Sequence, residues 1–277
     1  MKTKILIVFA AASLVLSSQF AFAADTNTTT TELKALVTKI QTKIRAGQTE
    51  EKDFGPELKE FDTLLAKHKS EKTDAVANIL LLKSTLYLEV FNDPDKAKAA
   101  VERLKKDFPD TKAGQNADRM IAMIDKQSAA MKIQNSLAVG TKFPDFSEKD
   151  VNGKPLSITN YKGKVVLLDF WATWCGPCVA ELPNVIKTYK KHHGDGFEII
   201  GISLDDDQQK LETFTKQKNM TWQQYFDGKG WGNKLAVKYG VQAIPATFLL
   251  DGNGKIIGKN LRGEALEDAV NKALAKN

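Results

Sequence analysis

The strongest constraint on the fold is an apolar run, Val165 to Trp171, that ends shortly before the segment Cys175-Gly176-Pro177-Cys178. The run contains β-branched and aromatic residues and predicts a strand that is buried on both faces of a sheet. The Gly-Pro pair predicts the first turn of a helix, because proline fits the first helical positions. A buried strand that leads into a helix is a unit of layered α/β folds, so we predict that class here.

The same alternation continues over residues 137–277, which we predict to form one α/β domain. Further strands are predicted over 197–204, 246–250 and 255–262, and helices over 176–189, 207–218, 231–239 and 264–275. Asp251-Gly252-Asn253-Gly254 predicts a hairpin turn, so the last two strands are expected to pair antiparallel. The expected architecture is a mixed central sheet with helices on both faces.

Residues 24–136 are predicted to form an all-α domain, because apolar residues recur at helical spacing from about 31 to 134. The stretch 97–121 is similar to a tetratricopeptide-like helical hairpin, although no clean 34-residue repeat is present. A small antiparallel helical bundle is the alternative. We expect no chemical cluster in this domain, and we expect His68 at its surface.

Residues 1–23 have the pattern of a secretory signal peptide. Lys2 and Lys4 form a positive start, residues 5–16 are mostly apolar, and Ala21-Phe22-Ala23 is a cleavage pattern of small residues. The run is shorter than the about 20 residues that an uncleaved membrane anchor needs. We therefore expect an exported protein, periplasmic or otherwise extracytoplasmic, that is soluble after cleavage.

Composition and charge exclude several classes of protein. With 42% hydrophobic and 27% charged residues over 277 positions, the chain is neither a disordered polymer nor a disulfide-dense miniprotein. The formal charge of +6 falls to +4 when Lys2 and Lys4 are removed. This excess is small and spread along the chain, so nucleic acid is not an expected partner.

Cys175 and Cys178 are the two cysteines of the sequence. A structural disulfide in an exported protein usually joins distant segments, and closing so short a loop adds only about 2 kcal/mol. A zinc site needs four ligands, and the three histidines have no ligand spacing to this pair. Redox chemistry is therefore favoured over a structural bridge or a metal site. We expect no cofactor beyond the redox-active disulfide itself.

The predicted position of the pair, at a helix N-terminus, suits thiol chemistry. Free backbone N–H groups and the helix dipole stabilise a Cys175 thiolate, and Cys178, one turn later, can resolve a mixed disulfide. We expect Cys175 to be exposed and to attack, and Cys178 to be more buried. Trp174 is expected to border the reactive sulfur, and the other three tryptophans are expected to be packing residues.

Two carboxylates near the cysteines are candidate proton acceptors for Cys178. Asp169 lies within the apolar strand, where a buried carboxylate is costly unless the group is used. Glu181 lies three residues after Cys178 and therefore on the same helix face. A buried carboxyl with a raised pKa can accept the Cys178 proton during exchange. The alternatives are a structural role for Asp169 and a solvated Glu181.

These residues resemble the thioredoxin family over about 139–275. The run Trp174-Cys175-Gly176-Pro177-Cys178 is similar to the thioredoxin active site, and Ile244-Pro245-Ala246-Thr247-Phe248 to the family's cis-proline segment. Phe143-Pro144-Asp145-Phe146 and Tyr161-Lys162-Gly163-Lys164 are similar to the extracytoplasmic TlpA/ResA branch, whose opening pattern peroxiredoxins share. The resemblance implies a thioredoxin fold with an additional strand and helix at about 203–226.

The resemblance also implies roles for individual residues. Asp169 occupies the position of the buried aspartate of thioredoxin, and Glu181 that of the glutamate of ResA-type reductases. Ile244 and Pro245 form a backbone platform that pairs with an incoming peptide, next to the Gly176-Pro177 turn of the dithiol.

The activity that the resemblance implies is thiol–disulfide exchange that reduces protein disulfides. Clients of cytochrome c maturation are common in the TlpA/ResA branch. The expected partners are protein disulfide or dithiol clients and a membrane or secreted thiol electron donor, and the domain 24–136 is expected to serve client docking or self-association. A disulfide oxidase or isomerase is the main alternative, followed by a thiol peroxidase or a non-enzymatic docking protein.

Overall fold

The computed structural model describes residues 28–276, which fall into two compact units. The first unit ends at Ser128 and the second begins at Ala129, within a helix that continues to Ser136. The domain boundary predicted at 136/137 lies at the end of that helix. The predicted signal peptide, 1–23, and the first residues of the predicted helical domain lie outside the described residues.

The first unit is helical, as predicted. Its elements are α1 (Thr28–Arg45), α2 (Gly55–Lys67), α3 (Asp74–Thr85), α4 (Pro94–Asp107), α5 (Lys112–Gln115) and the first part of α6 (Ala117–Ser136), with a 3-10 turn at Glu51–Phe54 and a π turn at Leu86–Val90. The Asp93 carboxylate accepts the backbone N–H of Lys96 at 3.0 Å and thereby caps the start of α4. The helices share an apolar core that includes Leu33, Phe61, Ile79 and Leu104.

A single helix predicted over 112–133 is divided at Asn116 into α5 and α6. The Asn116 N–H bonds to the carbonyl of Ala113, three residues back, which tightens the chain out of the α-helical pattern. Gly114 lies so close to the end of α4 that a Cβ atom would sit 1.9 Å from the Phe108 carbonyl oxygen. The close approach of α5 to α4 therefore requires glycine at this position.

His68, expected at the surface, is instead buried where α1 meets the end of α2. Its Nε2 atom lies 2.9 Å from Glu32 Oε2, and its Nδ1 atom lies 2.7 Å from Glu71 Oε1 and 3.1 Å from Thr29 Oγ1. Carboxylates accept hydrogen bonds, so this arrangement favours the protonated imidazole, in which both ring nitrogens donate. The hydrogen bonds to Glu71 and Glu32 raise the pKa of His68.

We predict that the free energy of unfolding of the first unit decreases as the pH rises through this raised pKa. The stabilisation is complete below the ordinary histidine pKa of about 6.5 and is lost as folded His68 gives up its proton. Urea unfolding is followed by far-UV circular dichroism, since all four tryptophans lie in the second unit. An equal pH dependence in the His68→Gln control would contradict the assignment.

The second unit contains the strands of the protein that lie within the described residues. They are β1 (Glu148–Lys149), β2 (Pro155–Leu156), β3 (Val165–Trp171), β4 (Phe197–Ser203), β5 (Gln223–Tyr225), β6 (Ala246–Leu250) and β7 (Ile256–Lys259). The last five form one sheet in the order β5-β4-β3-β6-β7, and β1 pairs with β2 in a separate hairpin. The pairs β3–β4 and β4–β5 are parallel, whereas β3–β6 and β6–β7 are antiparallel.

The helices of this unit are α7 (Gly176–His192), α8 (Gln208–Gln217), α9 (Lys234–Lys238) and α10 (Glu264–Leu274). Every residue of β3 and β4 is buried, so both faces of the sheet are covered at its centre. The predicted mixed α/β sheet is confirmed, and α8 with β5 forms the additional helix and strand. Over residues 28–276, no helix is both long and apolar enough to cross a membrane.

The helix predicted over 231–239 is shorter than expected. A 3-10 turn at Gly230–Gly232 precedes α9, and Asn233 separates the two. The buried Asn233 side chain accepts the N–H groups of Leu235 and Ala236 at 3.0 Å and so caps α9. The cap explains why the helix begins after Trp231 and leaves that tryptophan in the loop.

Candidate active site

The two cysteines lie where β3 gives way to α7, as predicted. They are joined by a disulfide, with their Cα atoms 5.2 Å apart. Cys175 is the N-cap of α7, and its Sγ atom accepts the backbone N–H of Cys178 at 3.2 Å. When the disulfide opens, the same N–H group and the helix dipole favour the thiolate form of Cys175.

Cys175 is less exposed than expected. In the disulfide form its exposed fraction is 5%, close to the 3% of Cys178. The Cys175 sulfur is bonded to Cys178 and folded onto that residue's amide, which removes it from solvent. The surrounding surface is open, because Trp174, Gly176 and Pro177 are exposed.

The loop before the cysteines is held by Asp205, a residue that the sequence did not single out. The buried Asp205 carboxylate accepts the backbone N–H of Thr173 at 3.1 Å and its hydroxyl at 2.6 Å. The Ser203 hydroxyl, at the end of β4, donates to the same carboxylate at 2.8 Å. This network fixes the chain two residues before Cys175. The sequence signal that could have identified Asp205 is the polar Ser203-Leu204-Asp205 segment at the end of the apolar strand β4.

Four of the predicted site residues line one small cavity behind the disulfide. They are Asp169 from β3, Cys178 and Glu181 from α7, and Pro245 just before β6. The space between them has room for about one water molecule. The Ile244–Pro245 peptide bond is cis, as the resemblance implied. The structure thus brings together the residues that were predicted to move protons and to contact clients.

Asp169 is the buried carboxyl of this cavity, and its pKa is raised to about 7. The main cause is burial, which disfavours the charged form. The positive charge of Arg262 opposes this shift, and the charge of Glu181 adds to it. A carboxyl that titrates near neutral pH can both accept and return a proton at little cost in free energy.

Glu181 is half-buried at the edge of the cavity and anchored there. Its Oε1 atom accepts the backbone N–H of Gly263 at 2.7 Å, and its Oε2 atom accepts the Asn184 amide at 3.2 Å. Gly263 has a φ of +53°, a value that favours glycine, and this conformation directs its N–H group to Glu181. Glu181 is therefore positioned by the start of α10 rather than left freely solvated.

Trp231, expected to be a packing residue, lies at the surface instead. It is 48% exposed and Trp174 is 53% exposed, and their ring centroids are 6.1 Å apart. Trp171 and Trp222 are buried, as expected. The two exposed indoles form an aromatic surface directly before Cys175. The position of Trp231 beside Trp174 could not be predicted, because the two residues are 57 positions apart and Trp231 lies in no local motif.

The described residues contain no group of three or more His, Cys, Asp or Glu side chains arranged for a metal ion. The chemistry of the site is instead carried by a disulfide at a helix N-terminus, a buried carboxyl behind it and a cis-proline beside it. This combination on a mixed sheet defines the class: a thiol–disulfide oxidoreductase with a thioredoxin fold.

Comparison with known proteins gives the family. Residues 138–275 match the Redoxin family. The thiol-disulfide oxidoreductase ResA of Bacillus thuringiensis subsp. konkukian (strain 97-27) is 32% identical over 143 residues, which cover 52% of this chain and 80% of that protein. ResA of Bacillus subtilis (strain 168) is 30% identical over 137 residues, or 50% of this chain and 74% of that protein. The chain therefore belongs to the redoxin family of ResA-type thiol–disulfide oxidoreductases.

Among the similar solved structures is the thioredoxin domain of a thiol-disulfide oxidoreductase from Bacteroides vulgatus. It is 34% identical, with a TM-score of 0.46, and the match covers 50% of this chain and 98% of that one. The match to the Redoxin family lies within the second unit.

We predict that Asp169→Asn stabilises the oxidised protein at pH 8 and slows thiol–disulfide exchange near neutral pH. The raised pKa means that the folded state loses stability as the pH rises from about 4 through 7, where Asp169 ionises. Each pKa unit corresponds to about 1.4 kcal/mol, so the gain at pH 8 is expected to be a few kcal/mol.

Urea unfolding of both proteins at pH 4 and pH 8 checks this prediction. The variant and the wild type are expected to differ little at pH 4, where the carboxyl is protonated in the folded state and only about half ionised in the unfolded chain. Glu181→Gln, measured in parallel, ranks the two carboxylates. Equal stability at both pH values together with an unchanged exchange rate would show that Asp169 has an ordinary structural role.

Proposed function

We propose that this protein reduces disulfides in protein clients outside the cytoplasm. The observation that carries the proposal is that the two cysteines of the disulfide lie in different surroundings. Cys175 caps α7 beside the open surface of Trp174, whereas Cys178 faces the cavity that contains Asp169. This arrangement supports a role for Cys175 in meeting the client and for Cys178 in exchanging a proton inside the protein.

The first step is attack by the Cys175 thiolate on a client disulfide. A bond forms between Cys175 Sγ and one client sulfur, and the second client sulfur leaves as a thiolate that takes a proton from solvent. The backbone N–H of Cys178 and the N-terminus of α7 stabilise the attacking thiolate.

The second step releases the client. Asp169 accepts the proton of the Cys178 thiol, and the Cys178 thiolate attacks Cys175 Sγ, so that the internal disulfide forms and the client leaves as its second thiolate. Asp169 then passes the proton on to the leaving group or to solvent. Two electrons have moved from the protein to the client. A dithiol donor returns them, and no cofactor other than the disulfide is part of the cycle.

The client contact is proposed to follow the same geometry. The backbone of Ile244 and Pro245 pairs with an extended client segment as an added strand, next to the exposed Gly176-Pro177 turn. The aromatic surface of Trp174 and Trp231 begins at the residue before Cys175 and offers apolar contact area.

The location and partners rest on the sequence pattern and on the family. The signal pattern of residues 1–23 supports export and cleavage, which would place the protein in the periplasm or an equivalent compartment. Its electron donor would be a membrane or secreted thiol protein, and proteins of cytochrome c maturation are candidate clients. We propose that the helical unit docks clients or a second copy, since a client held near Cys175 reacts at an effective concentration in the millimolar range.

A disulfide oxidase or isomerase is the second candidate, because direction depends on the reduction potential. Related dithiols extend from about −270 mV for reductants to about −120 mV for oxidants. A thiol peroxidase is less well supported, since Cys175 and Cys178 share one motif and are bonded to each other. A non-enzymatic docking role does not account for an intact disulfide at a helix N-terminus.

We predict a reduction potential for the Cys175–Cys178 pair near the reducing end of that range. The full chain is equilibrated with glutathione buffers of known potential, and the oxidised fraction is read by alkylation and mass shift. A value near about −270 mV agrees with a reductant, whereas a value near about −120 mV would favour the oxidase.

We also predict that Cys178→Ser accumulates mixed disulfides with proteins of the same compartment, through Cys175. Resolution is blocked in this variant, because the second sulfur is missing. Cys175→Ser is the matched control and is expected to trap no client. Non-reducing gels of extracts from cells that express each variant provide the measurement. Trapping through Cys178 in the Cys175→Ser variant would reverse the assignment of the two sulfurs.

A further inference from the structure

Arg262 lies in the cavity behind the disulfide, although nothing in the local sequence marked it. It follows β7 and precedes α10, and its guanidinium lines the same space as Asp169, Cys178 and Glu181. It is the source of the positive charge that acts on Asp169.

The guanidinium is held by neutral oxygens. Its Nη2 atom donates to the Pro245 carbonyl at 2.6 Å, and its Nη1 atom donates to Thr247 Oγ1 at 3.1 Å and to the Leu261 carbonyl at 2.8 Å. Within residues 28–276, no carboxylate oxygen forms a salt bridge with Arg262. Its charge therefore has no direct carboxylate partner and acts through the cavity on Asp169.

We infer that Arg262 is a positioning residue that ties the client platform at Pro245 to the buried carboxyl that serves Cys178. The inference rests on the proposed proton transfer from Cys178 to Asp169. Arg262 then has two effects. Its side chain fixes the carbonyl of the cis-proline, and its charge keeps Asp169 able to ionise inside an apolar strand.

The second effect follows from the charges that face Asp169. Burial and the Glu181 carboxylate both oppose ionisation of Asp169, and Arg262 favours it. Cys178 is the thiol that faces the same cavity. Without Arg262, a smaller fraction of Asp169 is ionised at neutral pH, so Asp169 accepts the Cys178 proton less often. The loss disappears at high pH, where Asp169 ionises even without the guanidinium.

Gly263, the next residue, adds a second connection between the Pro245 platform and the carboxylates of the cavity. The Gly263 N–H holds Glu181 while Arg262 holds Pro245 and Thr247. Two consecutive residues thus fix the platform on one side of the cavity and a carboxylate on the other. Since arginine forms several directed hydrogen bonds from one planar group, lysine can supply the charge but cannot reproduce all of these contacts.

The test compares Arg262→Gln and Arg262→Lys with the wild type, all as the full chain. Titration of the Asp169 side-chain carboxyl is followed by carbon-13 nuclear magnetic resonance in the oxidised protein. We expect the midpoint to rise by about one pH unit in Arg262→Gln and to change little in Arg262→Lys. This readout does not depend on activity, and a merely structural role would not move it.

The second measurement is the pH profile of exchange with glutathione disulfide, as a probe that bypasses client binding. A shift of about one unit from a midpoint of about 7 leaves Asp169 about one tenth ionised at pH 7, so the rate is expected to fall about fivefold there. The rates of variant and wild type should converge by about pH 9. Arg103→Gln, an exposed arginine of the helical unit, is the control.

The outcomes separate this inference from the proposed function. An unchanged Asp169 midpoint in Arg262→Gln, with native circular dichroism, would overturn the role of Arg262 whatever the activity. A loss of rate that is equal at pH 7 and pH 9 would do the same, because it would show a general structural defect. If Asp169→Asn exchanges at the wild-type rate while the midpoint still shifts, the proton transfer fails and the electrostatic link remains.

Discussion

The structure of the second unit depends on one strand that is buried on both faces and paired on both edges. Strand β3 lies between β4 and β6, and all seven of its residues are removed from solvent. Such a strand has to be apolar, because buried polar groups without partners destabilise the fold. Asp169 breaks this rule, and the rest of the site compensates for it. Arg262 supplies an opposing charge, and the cavity leaves room for about one water molecule.

The parts of the fold and site that could be predicted are those encoded locally. The apolar run of β3 and the Gly-Pro turn of α7 predicted the position of Cys175 and Cys178. The helical spacing of apolar residues predicted most of the helices. Asp169 was identifiable because a charged residue in an apolar strand is costly, and Glu181 because of helical spacing. The place of Pro245 beside the dithiol came only from the resemblance, since an Ile-Pro pair in a loop carries no such information.

The parts that could not be predicted depend on contacts between distant segments. Arg262 reaches Pro245 across 17 positions, Asp205 holds Thr173 across 32, and His68 meets Glu32 across 36. Arginine and aspartate are mostly exposed in proteins and histidine is intermediate, so residue type alone does not predict a buried position for any of them. The prediction for Trp231 was wrong in the opposite direction. Tryptophans are mostly buried, but the Asn233 cap of α9 leaves this one outside the helix and exposed. Tertiary structure overrode the ordinary preference in every case.

The disulfide itself contributes little to holding this fold together. It closes a loop of four residues, for which the entropic contribution is about 2 kcal/mol, whereas a disulfide across 100 residues would contribute about 4.7 kcal/mol. The two cysteines are only two among the many buried residues of the core around β3 and β4, and the Asp205 network before them includes neither sulfur. Opening the disulfide can therefore change the chemistry of Cys175 and Cys178 while the surrounding residues keep their places. A redox site that cycles needs this independence, because each turn of exchange breaks the bond once.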